Sequence, residues 1–474
     1  MRRNWGLLLV ALVGVARVAR ASDGDAGADP LQAPVAPSTI RLHQYTLVEC
    51  LSLADHNFPN LWAARARLAN VHAQLDEVRW TPWSQWSASS SFGVMPPLSG
   101  SVVFPQSTLA SRNLTGSNIS QWGGFFNFNI SGTIPVFTWG KIDSSLRAAE
   151  ANVRVNEWDM EKSKQQVHMD VRRAWYGLQL ARDAKYVADD AVGRIDKGIK
   201  GVREKIAKGD ASVSEIDALR LETYKQDVVA QSLSAPKGET YALAALRFMT
   251  GVETGFDVVD QPLKRPDRPL VAVAQYLEAA RLLRPDVNMA RAGIVARSAL
   301  VDYNRGKMLP DFGIGLGADY AVSQAATPQN SAWAWDPFNH FWYWIGLGLK
   351  WNLDLLPQSA RTQQAESQLE ETRAMERLAL GNAEFEVEKA YADAVEAKGR
   401  EEAWDRAEHL AKQWIVTVQD HIDLGTMDEK SLLEPLKAYG SARVAHLQAL
   451  MDLNVTMSNL ALVSGWDSAA PTGG

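Results

Sequence analysis

Between residues 341 and 434 the spacing of apolar side chains changes abruptly. Ile345, Leu347, Leu349, Trp351 and Leu353 alternate with Gly346, Gly348, Lys350, Asn352 and Asp354, the two-residue period of a strand with unlike faces. Past Leu356-Pro357 that period stops. From Ser359 to about Asp423 there is no proline, and Ala, Glu, Leu, Arg and Gln, which lose little on entering a helix, dominate. The pattern predicts a strand over about 342–354 running into a helix over about 359–424. At roughly 1.5 Å per residue that helix would reach on the order of 100 Å. Such a length exceeds one globular core and points to a coiled coil or a similar assembly.

The rest of the chain shows the same textures twice. Residues 41–262 form a first unit: apolar positions at helical spacing from Tyr45 to Val78 with a break at Pro59, strands at about 84–95 and 122–134, and a proline-free helix at about 139–208 ending at Gly209. Return helices then continue to about residue 251, with a punctuation at Pro236-Lys-Gly238. After a proline-rich linker at 263–270, residues 271–465 repeat the order. A helix broken at Pro285 precedes a strand at 311–321, the strand and long helix already described, a stop at Gly425, and a return helix to about 464. Residues 466–474 form a tail. Ser212 with Glu215, and Thr426 with Glu429, have capping-box spacing at the start of the two return segments. Pro435, inside the second return pattern, is expected to kink it.

The fold class that follows is an α+β membrane protein. Each of the four strands is about ten residues of strict alternation, the length and texture of a tilted membrane-spanning strand. Of the 17 tryptophans, Trp80, Trp83, Trp86, Trp122, Trp139, Trp333, Trp335, Trp342, Trp344 and Trp351 lie around these strands, as an interfacial aromatic girdle requires. Four strands cannot close a barrel, and open edges are not tolerated in lipid, so several copies must contribute. Two copies would supply eight strands and three would supply twelve, and a conducting interior favours the larger number.

Met1–Ala21 has the basic start, apolar centre and Ala19-Arg20-Ala21 end of a secretory signal, and 22–40 is an extended Asp-, Ala- and Pro-rich leader. Removing the signal takes away four arginines and no acid, moving the net charge from −6 to −10, which argues against nucleic acid as a partner. Beyond the signal no apolar run reaches eighteen residues, excluding an α-helical membrane protein. The single cysteine, Cys50, reads as a small apolar residue on a helix face. The eight histidines show no metal-ligand spacing, and no phosphate loop or GxSxG occurs, so neither enzyme, cofactor nor metal chemistry is expected. The sequons at Asn113-Leu-Thr115 and Asn129-Ile-Ser131 matter only in a glycosylating pathway.

The duplicated order resembles the bacterial outer-membrane efflux family of TolC-like proteins over almost all of the mature chain. Ile134-Pro-Val-Phe-Thr-Trp-Gly-Lys141 with the Ala-rich stretch that follows is similar to the family's strand-to-helix entry. Ala63–Leu75 is similar to its early Ala- and Arg-rich helix, and Lys208-Gly-Asp and Leu424-Gly-Thr to its two hairpin tips. The resemblance implies a homotrimer in the cell outer membrane, a twelve-stranded barrel continuous with a large periplasmic helical tunnel. It further implies tips, at Gly209, Asp210, Leu424 and Gly425, that dock a periplasmic adaptor (membrane fusion) protein serving an inner-membrane pump of RND or ABC type. Acids six and nine residues past the second tip line the family's constriction. Here those positions are Ser431 and Glu434, and Asp428 lies three residues before Ser431 on the same stripe. Three copies of Glu434 would form an acidic ring; alternatively Glu434 and Asp428 are first-turn acids favoured by the helix dipole. Asp217 holds the matching acid position in the first repeat, or is simply an exposed helix residue. The exit duct of a tripartite efflux or type I secretion system is one functional class. A non-conducting structural or adhesive envelope protein with a barrel anchor and coiled-coil stalk is the other.

Overall fold

The computed structural model describes residues 43–98, 122–209, 213–329 and 336–466. The signal, the leader, the tail after Trp466, Asp210, Ser212, Trp333, Trp335 and the Asn113 sequon lie outside the described residues. In chain order the elements are β1 (His43–Tyr45), α1 (Leu47–Asn57), α2 (Pro59–Trp80), β2 (Trp86–Met95), β3 (Gly123–Phe137), α3 (Lys141–Ala207), α4 (Glu215–Ser232), α5 (Ser234–Thr250), β4 (Phe256–Val258), α6 (Val273–Leu283), α7 (Pro285–Gly306), β5 (Asp311–Ser323), β6 (His340–Lys350), α8 (Leu355–Asp423) and α9 (Leu433–Val463).

The two halves match residue for residue in places. Helices α1 and α6 each have 11 residues, and α2 and α7 each have 22. Each pair is joined by one extended residue, Phe58 (ψ 123°) or Arg284 (ψ 127°), followed by a proline at the first helical position. Proline is at home there because its missing N–H would find no partner inside the helix in any case. The same logic corrects three expectations. Pro357 falls in the first turn of α8, which therefore begins at Leu355 rather than Ser359. Pro236 falls in the first turn of α5, so the break in the first return segment lies at Leu233. Pro435 falls in the first turn of α9 and removes no intrahelical bond, so it starts that helix instead of kinking it.

Strands β2, β3, β5 and β6 form one antiparallel sheet in that order. Its register places Phe92, Phe126, Val322 and, further along, Ile345, Leu316 and Ile130 on one face, with Leu347 and Leu349 continuing it. Leu347 is 88% exposed and Ile345 74%, so this face is greasy and uncovered. The opposite face carries Ser87, Ser89, Ser91, Asn127, Asn129, Ser131, Thr133, Asp319 and Lys350. Parity also puts Trp342 and Trp344 on this polar face, so these two are not part of a lipid-facing girdle. Trp344 lies over Gly315 and Gly317, where a Cβ at residue 317 would come within 2.4 Å of the indole nitrogen. Trp86 covers Gly132 in the same way on the apolar face, at 2.4 Å. The sheet's one irregularity falls between Pro135 and Phe137, as expected for a residue that cannot donate to the ladder. Strand β6 ends at Lys350, leaving Trp351 to donate its indole N–H to the Met308 carbonyl at 3.0 Å.

The strand-to-helix entry is a tight corner. Trp139 (φ 53°) and Gly140 (φ 75°) are both left-handed, and the Trp139 conformation is held by its indole N–H donating to the Pro310 carbonyl at 2.8 Å. From there α3 runs 67 residues and α8, its counterpart, 69, each on the order of 100 Å at about 1.5 Å per residue. Along α8 the buried residues Thr362, Leu369, Ala383, Ala390, Ala397, Ala411 and Val418 are separated by whole multiples of seven. A strict seven-residue repeat winds a helix left-handed around its neighbours, and alanine on that seam lets the backbones approach closely.

Equivalent cores pin both halves at mid-height. In the first, Cys50, Leu51 and Ala54 of α1 pack with Val171, Trp175 and Leu178 of α3, Leu246 and Met249 of α5, and Phe256. Burial pushes the Cys50 thiol up to about 12, so it behaves as an apolar side chain. In the second, Tyr276 and Ala280 of α6 pack with Val387, Ala390 and Ala394 of α8 and Leu460 and Val463 of α9. Replacing the fully buried Ala394 by Leu overpacks this seam. A loss of about 1–3 kcal/mol is expected, read as a lowered thermal-unfolding midpoint of the assembled protein.

Candidate functional site: the hairpin tips

Each long helix ends by the same device. Gly209 (φ 75°) and Gly425 (φ 71°) are left-handed, the conformation a helix adopts just past its last carbonyls. Leu424 N–H donates to Asp420 O at 3.0 Å and Gly425 N–H to Ile422 O at 2.9 Å, after which the chain leaves the helix axis. Leu424 is 75% exposed at the extreme end.

The capping boxes expected from sequence form differently. At the first tip Ser214, not Ser212, is the cap. Asp217 reaches back to accept from Ser214 N–H at 3.0 Å and Ser214 Oγ–H at 2.8 Å. Glu215 therefore sits in the first turn of α4 rather than closing the box. The Ser214 hydroxyl, then its amide, hold the Asp217 carboxyl below the ordinary range. At the second tip Thr426 does not cap the return helix. Its hydroxyl donates back to His421 O at 2.9 Å, extending the end of α8. A single 3-10 turn, Glu429–Leu432, then precedes α9, so the return helix starts six residues later than a Thr426 and Glu429 box would place it.

The acids expected at a constriction have cationic neighbours. Asp428 pairs with Lys430 at 2.9 Å, and the Asp428 carboxylate holds the Lys430 ammonium above its ordinary range. Glu434 is exposed in the first turn of α9 and lies 3.6 Å from Lys437. That ammonium sits 5.4 Å over the Tyr224 ring of α4, so the second hairpin touches the first through a cation–π contact. Ser431 lies in the 3-10 turn, its amide donating to Asp428 O at 2.9 Å. Asp428, Ser431 and Glu434 therefore share one short segment. Lys430 and Lys437, which sequence reasoning passed over, share it with them, although their spacing from the acids was visible.

A second polar cluster on the wet face of the sheet also went unnoticed. Asp319 accepts from Asn129 at 2.8 Å, from Asn127 at 3.2 Å and from His340, joining three strands. The alternation of Asn127 and Asn129 was legible, but their meeting with Asp319 depends on cross-strand register. Among the described residues no group of three or more His, Cys, Asp or Glu side chains is placed to hold a metal ion. Among the same residues no helix is long and apolar enough to cross a membrane.

A strand set with one apolar and one polar face, carried on helices this long, is an architecture this chain shares with outer-membrane channels. The outer membrane efflux protein family model matches residues 50–252 and 276–465, one segment in each structural half, and the chain belongs to that family. It is a channel protein of the outer membrane and not an enzyme. The chain is 26% identical to Protein CyaE of Bordetella pertussis over 387 residues, covering 78% of this chain and 73% of that protein. Its fold is similar to the CmeC outer membrane channel of Campylobacter jejuni (TM-score 0.67, 17% identity, 88% of this chain and 85% of that one). It is similar also to CusC (TM-score 0.69, 15% identity, 92% and 99%). The open-state MtrE outer membrane channel of Neisseria gonorrhoeae is a further structural relative (TM-score 0.68, 15% identity, 91% and 93%).

Because Asp217 is lowered by its cap bonds, its contribution to α4 is present above the carboxyl value of the unfolded chain and is lost as pH falls through the lowered folded value. Ser214→Ala removes the hydroxyl half of the box, at a cost of about 0.5–2 kcal/mol in local helix stability. Hydrogen exchange at the start of α4 should be faster in this variant at neutral pH, and wild type should converge on it in acid.

Proposed function

We propose that three copies of this chain form the exit duct of a tripartite efflux or secretion assembly. Each sheet supplies four strands and leaves both outer edges, on β2 and β6, without a strand partner among the described residues. That observation carries the reading: edges in hydrocarbon must be closed, and three sheets joined edge to edge give a twelve-stranded barrel. The apolar face would meet outer-membrane lipid and the hydroxyl- and amide-rich face would line the lumen. Helices α2, α3, α4, α7, α8 and α9 of three copies would continue it as a periplasmic tunnel, with the seven-residue seam of α8 setting its supercoil.

In this reading the tips at Gly209, Asp210, Leu424 and Gly425 dock a periplasmic adaptor, and an inner-membrane pump of RND or ABC type supplies the energy. Membership of an efflux family supports a conduit over a non-conducting stalk. Glu434, with Ser431 and Asp428 beside it, is the candidate constriction. Three Glu434 carboxylates converging on an axis would attract cations, while the exposed Lys437 partners are screened and offset only part of the field.

Purified trimers in a planar bilayer should conduct ions and be blocked by multivalent cations added on the tip side. Glu434→Ala should weaken that block by about tenfold, equivalent to about 1.4 kcal/mol. Conductance absent from both wild type and Glu434→Ala would overturn the duct; conductance with unchanged block would remove Glu434 from the constriction.

A further inference from the structure

Trp344 of β6 is seated on the polar face of the sheet by two glycines of β5. A Cβ on Gly317 would meet the indole Nε1 at 2.4 Å and Cε2 at 2.7 Å, and one on Gly315 would meet Cζ3 at 2.7 Å and Cη2 at 2.8 Å. Contacts from both rings of the indole to two residues of one strand mean that it lies along β5 with one side pressed on bare backbone. Any side chain at 315 or 317 would displace it. The indole is nevertheless not enclosed, since Trp344 is 41% exposed.

Trp344 borders a cavity of about 910 Å³ in the corner where the sheet meets α2, α3 and α7. That volume falls within the range of roughly 300–1,000 Å³ found for small-molecule sites. Beside the indole the cavity floor is backbone alone. A Cβ on Gly346 would meet nothing within 4 Å, and one on Gly348 only the Gly313 carbonyl oxygen at 3.9 Å. A flat ring can therefore stack on the open part of the indole with its edge over these glycines, and no side chain has to move. Gln74, Gln85 and Thr133 line the walls and offer hydrogen bonds to ring substituents. Charge gives no preference. Lys141 is ion-paired with Asp311 at 2.7 Å, and the exposed Lys350 and Glu77 offset one another.

We propose that Trp344 and its glycine floor form a stacking subsite for planar aromatic solutes, selected by the flatness of the ring and not by its charge. A saturated ring of the same size is too thick to lie against the indole and the floor together, and it lacks the π-system that favours offset stacking. The route by which a solute arrives rests on the duct reading, because that reading turns this face to the lumen. In the duct the subsite holds flat solutes at the junction of sheet and helices and slows them relative to saturated ones. The bare positions 346 and 348 thus have a use that the seating of Trp344 over 315 and 317 does not explain.

Fluorine NMR of the full-length assembled protein, labelled with fluorotryptophan and held in lipid nanodiscs, tests the subsite. The Trp344 signal is identified by its absence from Trp344→Leu. Caffeine, a neutral planar probe, should shift that signal saturably in the millimolar range, and cyclohexanecarboxamide, a neutral saturated one, should leave it in place. Gly346→Val fills the floor without meeting any atom of the chain and should weaken caffeine binding by about tenfold. Native electrophoresis checks assembly of this variant, and the wild-type comparison of the two probes decides alone should it fail to assemble. A Trp344 signal unmoved by caffeine, moved equally by the saturated probe, or titrating identically in Gly346→Val would overturn the proposal. Planar-bilayer conductance of the same samples separates the two readings: conductance without a caffeine shift removes the subsite and keeps the duct, whereas a caffeine shift without conductance keeps the subsite and removes the duct.

Discussion

A strand in hydrocarbon must find a partner for every backbone N–H and C=O, and that requirement governs the whole molecule. One chain satisfies it for the inner pairings of β2, β3, β5 and β6 and, among the described residues, leaves two edges open. Everything below the sheet fits a wall segment better than a self-contained domain. The long helix α8 exposes Phe385, Leu410 and Trp414 along faces that no described element of the same chain covers, while its alanine-rich seam is closed. In the proposed duct a segment with open strand edges above and open helix faces below would be completed by copies of itself, and the two kinds of opening run along the same chain.

The sequence carried the sheet and the long helices plainly, because both signals are local. Period-two alternation needs only neighbours, and freedom from proline over some sixty residues needs only a count. Gly209 and Gly425 were equally legible as stops, since the left-handed conformation past a helix end is a property of one residue. Prolines were harder to place. Pro236 and Pro435 read as interruptions of helices already begun, and Pro357 as lying ahead of its helix, whereas each lies in a first turn. A proline says that a helix cannot pass unbroken, but not on which side of it the helix begins.

What could not be read was every feature set by two distant segments. The cap at the first tip went to Ser214 and Asp217 rather than Ser212 and Glu215, two boxes of identical spacing that only the start of α4 distinguishes. The seven-residue seam on α8 was hidden because its members are mostly alanine, too weakly apolar to stand out against an alanine-rich background. Trp342 and Trp344 were grouped with interfacial tryptophans by composition, yet strand parity turns them to the polar face. His446 has no carboxylate within four positions of it on α9, and its partners Glu401 and Glu408 lie 45 and 38 residues earlier.

The two halves differ where the first return segment breaks into α4 and α5 while α9 continues unbroken for 31 residues. The break lets α5 settle between α1 and α3, so Leu246 and Met249 complete a core that also receives Phe256 and Val258 from β4. Arg182 of α3 then clamps this corner by donating to Glu239, Asp257 and the Val258 carbonyl. In the second half, α9 reaches the equivalent core directly with Leu460 and Val463, and the strap between β4 and α6, residues 259–272, is held to α8 by the Arg265–Glu401 ion pair. Duplication accounts for the wall, whose geometry would repeat around the closed tube of the proposed duct. The waist is where the copies have diverged, because there each half anchors one end of a single strap and the two ends face different neighbours.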